Sequence, residues 1–219
     1  MVRTIQHLLV LLALLLSCGA AAATTPGQAC EKAASDALRA CVGSVGRLSQ
    51  QCYRKTGGAC LAGDAKIAAQ LDRVASRVLA RCPDQATVQA GGYGPALTPS
   101  GLVTRLQNAC TSAIASLAAR SYGGPHAAVR DGAFPSDQKC LDDAWKQGQS
   151  LLNYGLQQQS TCIRNAKAGK PCDTAGLASK LAARESTTAT RVAAKCATPL
   201  ADLVAVDPTV FAARAAAQT

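Results

Sequence analysis

Histidine and aromatic side chains are scarce in this chain of 219 residues, which holds two His, two Phe, four Tyr and one Trp. His7 falls in a leader segment, so His126 alone would have to anchor a His-based zinc site or a Ser-His-Asp triad. It sits in Gly123-Gly124-Pro125-His126, a linker composition, and reads as an exposed loop residue. The chain has no C-x-x-C-H for haem, no C-x-x-C redox pair, no phosphate-binding glycine loop and no G-x-S-x-G elbow. These absences leave an enzyme as the least supported class, with no catalytic residue or cofactor expected. With 3% aromatics and 46 Ala in a 48% hydrophobic composition, the core must be built from small side chains. Burial is worth about 25 cal/mol per Å², so such a core needs other staples. A charged fraction of 16% and a mean hydropathy of +0.08 exclude an acidic disordered chain, a collagen-like repeat and a polytopic membrane protein.

What the chain does have is cysteine, 11 residues of it, ten of them behind an export signal. Residues 1–23 read as a signal peptide: Arg3 gives the positive start, residues 8–16 an apolar stretch too short to span a bilayer, and Ala21-Ala22-Ala23 a cleavage site. Leu15-Leu16-Ser17-Cys18 offers a second route, in which Cys18 is lipidated and the product is an outer-membrane lipoprotein. Either way the protein is expected to be exported, to the periplasm or the extracellular space. Ten cysteines remain for pairing, and an even count in an oxidising compartment reads as disulfides.

Cysteine spacing exposes an internal repeat. Cys30, Cys52, Cys60 and Cys82 follow C-x21-C-x7-C-x21-C, while Cys140, Cys162, Cys172 and Cys196 follow C-x21-C-x9-C-x23-C. Cys52-Tyr53-Arg54 matches Cys162-Ile163-Arg164, and Thr98-Pro99-Ser100 with Arg105 matches Asp207-Pro208-Thr209 with Arg214. The reading is an all-α tandem duplication, each copy a disulfide-stapled antiparallel hairpin plus a third helix. Module 1 covers residues 24–120, a Gly/Pro-bearing linker residues 121–138, and module 2 residues 139–219.

Helical periodicity carries that assignment. Cys30, Ala34, Ala37, Cys41, Val45, Leu48 and Cys52 keep one helix face inward, and Cys60, Ile67, Leu71, Val74, Val78 and Cys82 repeat the habit. Thr25-Pro26 opens the first helix, Gly57-Gly58 breaks it, and Ala168-Gly169-Lys170 turns the second hairpin. Twenty-two residues of helix span about 33 Å, whereas bridged Cα atoms lie within about 7 Å, so Cys30 cannot reach Cys52. An antiparallel hairpin joins outer to outer and inner to inner: Cys30 with Cys82, Cys52 with Cys60, Cys140 with Cys196, Cys162 with Cys172. Cys41 and Cys110 remain, and the second copy lacks both, with Leu151 and Thr219 at the matching positions. Joint loss is the mark of a bonded pair. A Cys41–Cys110 bridge would pin the third helix, residues 99–120, while residues 208–217 are held by packing alone.

These intervals, with Ala109-Cys110-Thr111-Ser112-Ala113 running to Ser121-Tyr122-Gly123-Gly124-Pro125, resemble a recurrent group of exported cysteine-rich helical-hairpin repeat proteins of high-GC bacteria that has no assigned activity. The resemblance implies an extracytoplasmic all-helical fold and contributes no catalytic residue.

The remaining signals concern packing and charge. Trp145 and Phe134 read as core or interhelix anchors, and Gly148 and Gly155 mark either a close helix contact or a weakened helix. Asp142 and Asp143, adjacent on a helix, diverge by about 100 degrees and cannot share a proton or metal; in a first turn they would complement the helix dipole. Without the leader the chain carries 22 basic and 13 acidic residues. Arg54 and Lys55 sit at one hairpin tip and Arg164, Lys167 and Lys170 at the other, while Arg73, Arg77 and Arg81 form a stripe. This is either a solvated, solubilising face or an anion-binding one that touches envelope lipid or acidic polysaccharide. Nucleic acid fits less well, since no stacking platform accompanies the charge. The expected function is therefore a structural or interaction module of the bacterial envelope or extracellular space. A bundle of cysteine thiolates storing Cu(I) is a distinct alternative, although the four-residue cysteine spacing useful to it is absent.

Overall fold

A computed structural model describes residues 24–60, 63–124, 129–130 and 132–218. The segment read as a signal peptide (residues 1–23, with Cys18) and His126 lie outside them. The described chain is all-α: α1 (Pro26–Thr56), α2 (Ala65–Leu79), α3 (Gln85–Ala90), α4 (Pro99–Tyr122), α5 (Pro135–Lys167), α6 (Thr174–Pro199) and α7 (Pro208–Ala216), with a π-helical turn at Leu200–Val204 between the last two. No described residue is in a strand.

Local chemistry sets these boundaries. Thr25 and Gln28 form a capping box on α1, each side chain bonding the other's backbone N–H, with Pro26 at the first helical position. At the far end Gly57 adopts φ 71° and returns its N–H to Tyr53, a left-handed closure that costs glycine little. Thr98 before Pro99 opens α4 and Asp207 before Pro208 opens α7, each accepting a backbone N–H. The second helix is shorter than the cysteine intervals suggest. Asp64 accepts the N–H groups of Lys66 and Ile67, so α2 starts after Cys60 and ends before Cys82. α6 likewise starts after Cys172, capped by Asp173. The short α3, capped by Asp84, has no counterpart in the repeat reading.

Five disulfides connect the helices. Cα separations are 4.9 Å for Cys30–Cys82, 6.0 Å for Cys41–Cys110, 5.1 Å for Cys52–Cys60, 5.3 Å for Cys140–Cys196 and 5.0 Å for Cys162–Cys172. The first and third tie α1 to the α2 segment, and the second ties α1 to α4. At the place matching Cys41, Leu151 packs on Ala212, Ala215 and Ala216, so apolar contact holds α7 where a bridge holds α4.

α5 runs antiparallel along α1. Gln28 donates to the Lys167 carbonyl, Ser35 bonds Ser160, Gln149 donates to the Val42 and Gly43 carbonyls, and Gln50 donates to the Asp142 carbonyl. Both halves consequently share one core, from Cys30 and Val74 through Leu117 and Trp145 to Val192 and Phe211. Gly148 resolves into a close contact: a Cβ there would lie 2.6 Å from Leu117 Cδ1 and 2.9 Å from the Phe211 ring. Trp145 is fully buried, but Phe134 is 77% exposed. Phe134 precedes α5 as its N-cap residue, outside the periodic face, so the anchor expected there is absent.

Candidate functional site

The densest polar cluster surrounds Asp142. Because α5 begins at Pro135, Asp142 lies in its third turn rather than its first, and it faces inward, correcting the expectation of a dipole-complementing surface pair. Its Oδ1 accepts the Tyr122 hydroxyl at 2.8 Å and Arg130 Nε at 3.0 Å. Its Oδ2 accepts Arg130 Nη2 at 3.1 Å and lies 3.3 Å from Arg54 Nε. Arg130 comes from the segment between α4 and α5, Tyr122 is the last residue of α4, and Arg54 lies in the last turn of α1. Beneath the ion pair Tyr53, Tyr122 and Trp145 stack in series, with ring centroids 4.5 Å and 5.2 Å apart. Burial first, and then the Asp142 charge, push the Tyr122 hydroxyl far above the usual tyrosine range. Both carboxylate oxygens are committed to donors and the phenol is held neutral. The arrangement is a fastener between α1, α4 and α5 rather than an acid–base pair. Asp143, one residue on, points outward to Lys146 at 3.5 Å and Lys195 at 3.4 Å.

The two basic tips are not brought together. Antiparallel packing of α1 and α5 puts Arg54 and Lys55 at one end of α1, while Arg164 lies beside Asp36 and Lys167 beside Gln28, roughly 27 and 39 Å away from Arg54 by helix rise. Three of the five are engaged internally: Arg54 with Asp142, Arg164 with Asp36 at 3.7 Å, and Lys167 Nζ with the Gly91 carbonyl at 2.6 Å. Arg73, Arg77 and Arg81 remain an exposed stripe on and just beyond α2.

Sequence reading missed a second buried cation. Arg120 on α4 is 2% exposed, donates to Ser116 Oγ at 2.7 Å and Gln218 Oε1 at 2.8 Å, and lies over the Phe211 ring. Burial, followed by the nearby Arg214 charge, brings its guanidinium down to about 10. Nothing but its arginine identity marks it in the sequence.

Cys52, Cys60 and Asp64 place one ligand-type atom each within 4.8 Å of one another. The two sulfurs are bonded to each other, however, and all ten described cysteines are paired, so the structure presents no thiolate to a soft metal. No single described helix is long and apolar enough to cross a membrane. No family model matches the chain, and comparison with curated proteins and with solved structures finds no match.

Proposed function

We propose that the protein is an exported helical scaffold, stabilised by disulfides, that serves as a structural or interaction module of the bacterial envelope or extracellular space. The observation that carries this reading is the set of five bridges, which fasten α1 to the α2 segment and α4, and α5 to the α6 segment, around one shared core. Multiple disulfides indicate a non-reducing environment. In the chain-entropy account, bridges closing 52 and 69 residues each destabilise the unfolded chain by about 4 kcal/mol. Matched cysteine intervals and the shared cap-Pro starts of α4 and α7 support descent by tandem duplication.

Expression of the full chain in a bacterial host tests the reading. The expected product lies outside the cytoplasm, begins after residue 23 or at a lipidated Cys18, and loses its folded structure when reduced. A product retained in the cytoplasm, reduced and equally stable, overturns it. Eight or more titratable thiols in the unfolded protein would favour the Cu(I)-storing alternative.

A further inference from the structure

We propose that a basic groove formed by α1, α5 and α6 binds an acidic saccharide through Arg47, Lys146 and Arg184. The proposal rests on the extracellular interaction-module reading and names the surface and ligand chemistry for it.

The groove is shallow and open to solvent, with a volume of about 510 Å³. One cation comes from each of three helices: Arg47 from α1, Lys146 from α5 and Arg184 from α6. No carboxylate lines it. Glu185, next to Arg184, lines a different concavity with Ser186 and Ala189. Lys146 shares Asp143 with Lys195. Neither guanidinium has a carboxylate partner among the described residues. Arg47 reaches only Ser44 Oγ, at 3.4 Å, and Arg184 only Ser150 Oγ, at 2.9 Å. Three uncompensated or half-compensated cations facing one concavity repel each other, and a bound anion relieves that repulsion.

The rest of the lining decides which anion. Arg184 lies over the Tyr154 ring, 5.7 Å from its centroid, which orients the guanidinium. Asn153 and Gln157, one turn apart on α5, line the same groove, while Gln149 spends its amide N–H₂ on the Val42 and Gly43 carbonyls of α1. The Asn153 and Gln157 amides each offer both donors and an acceptor, which suits vicinal hydroxyls, while the guanidinium fork suits a carboxylate. Hydroxyls and carboxylates together describe a uronic-acid sugar. A bilayer surface fits less well. None of the exposed large hydrophobics, Leu79, Phe134, Ile163 and Val210, lines it, so nothing there would insert among acyl chains.

The experiment is calorimetric titration of the oxidised, exported full chain with a short oligogalacturonate and with its uncharged methyl ester. Phosphatidylglycerol vesicles form a parallel arm. Binding of the acidic oligomer is expected, weakening as salt is raised, with no binding of the ester. R184Q and R47Q each weaken it about tenfold, the loss of one charge-assisted contact, whereas K55Q/K170Q at the tips changes it less than about twofold. Helical circular dichroism and the five bridges should be unchanged in all variants. Gly43 lies on the same wall, with room for a Cβ 3.8 Å from Arg47 Nη1, so G43E supplies an internal carboxylate and should abolish binding independently. Equal binding of the ester, no binding of the acidic oligomer, indifference to R184Q and G43E, or groove-dependent binding of vesicles alone overturns the proposal. Failure there with export and bridges intact leaves the scaffold reading standing.

Discussion

Replacing Asp142 with Asn removes one charge and leaves the shape of the fastener nearly unchanged. Arg130 then keeps its guanidinium, 11% exposed, facing an amide whose N–H₂ occupies one of the two acceptor positions. Breaking a buried pair by neutralising one partner costs about 3 to 5 kcal/mol. The pair retains some solvent contact and Arg54 stays nearby, so we expect about 3 kcal/mol. In a domain of this size that lowers Tm by about 6 to 12 °C, readable by calorimetry on the oxidised protein. The triple variant Asp142→Leu, Arg130→Met and Tyr122→Phe removes both charges and the hydroxyl that donates to Asp142, and should recover to within about 1 kcal/mol of the parent. An Asp142→Asn loss below about 1 kcal/mol would place this pair with screened surface pairs and refute the reasoning.

Alkaline pH should destabilise the fold. Burial pushes Tyr93 up to about 12 and Tyr122 higher, so between 10 and 12 the folded chain keeps protons that the unfolded chain loses, and stability falls with rising pH. Arg120, brought down to about 10, opposes this by releasing a proton that the unfolded chain keeps. Arg120→Met should therefore steepen the alkaline loss and raise Tm at neutral pH, while Tyr122→Phe should flatten it; denaturant midpoints across pH check both. Converting Cys41 and Cys110 together to Ala should cost up to about 4 kcal/mol in chemical denaturation; no change would mean that packing already fixes α4 as it does α7. Gly148→Ala should destabilise by about 1 to 2 kcal/mol, since overpacking against Leu117 and Phe211 outweighs the gain in helix propensity. A rise in Tm for that variant would contradict the close contact.

Helices and bridges were legible in the sequence because both are questions of spacing along one chain. The inward face of α1 from Cys30 to Tyr53 follows a 3.6-residue period, and matched spans leave the cysteines few partners within reach. The Asp142 fastener was not legible. Its partner Arg130 lies in a segment without periodicity, Arg54 reads as a tip charge, and the three meet only because α5 lies antiparallel on α1. The same packing separates the basic tips and collects Arg47, Lys146 and Arg184 from three helices. Phe134 shows the opposite failure: its bulk suggests a core, but its place before Pro135 leaves it in solvent.

Peptide mapping of the oxidised protein under non-reducing conditions tests most directly whether bridges set the helices in register. The account predicts five linked pairs, joining residues 30 to 82, 41 to 110, 52 to 60, 140 to 196 and 162 to 172. A peptide linking Cys30 to Cys52, a bridge between Cys82 and Cys140, or cysteines recovered as free thiols would contradict it.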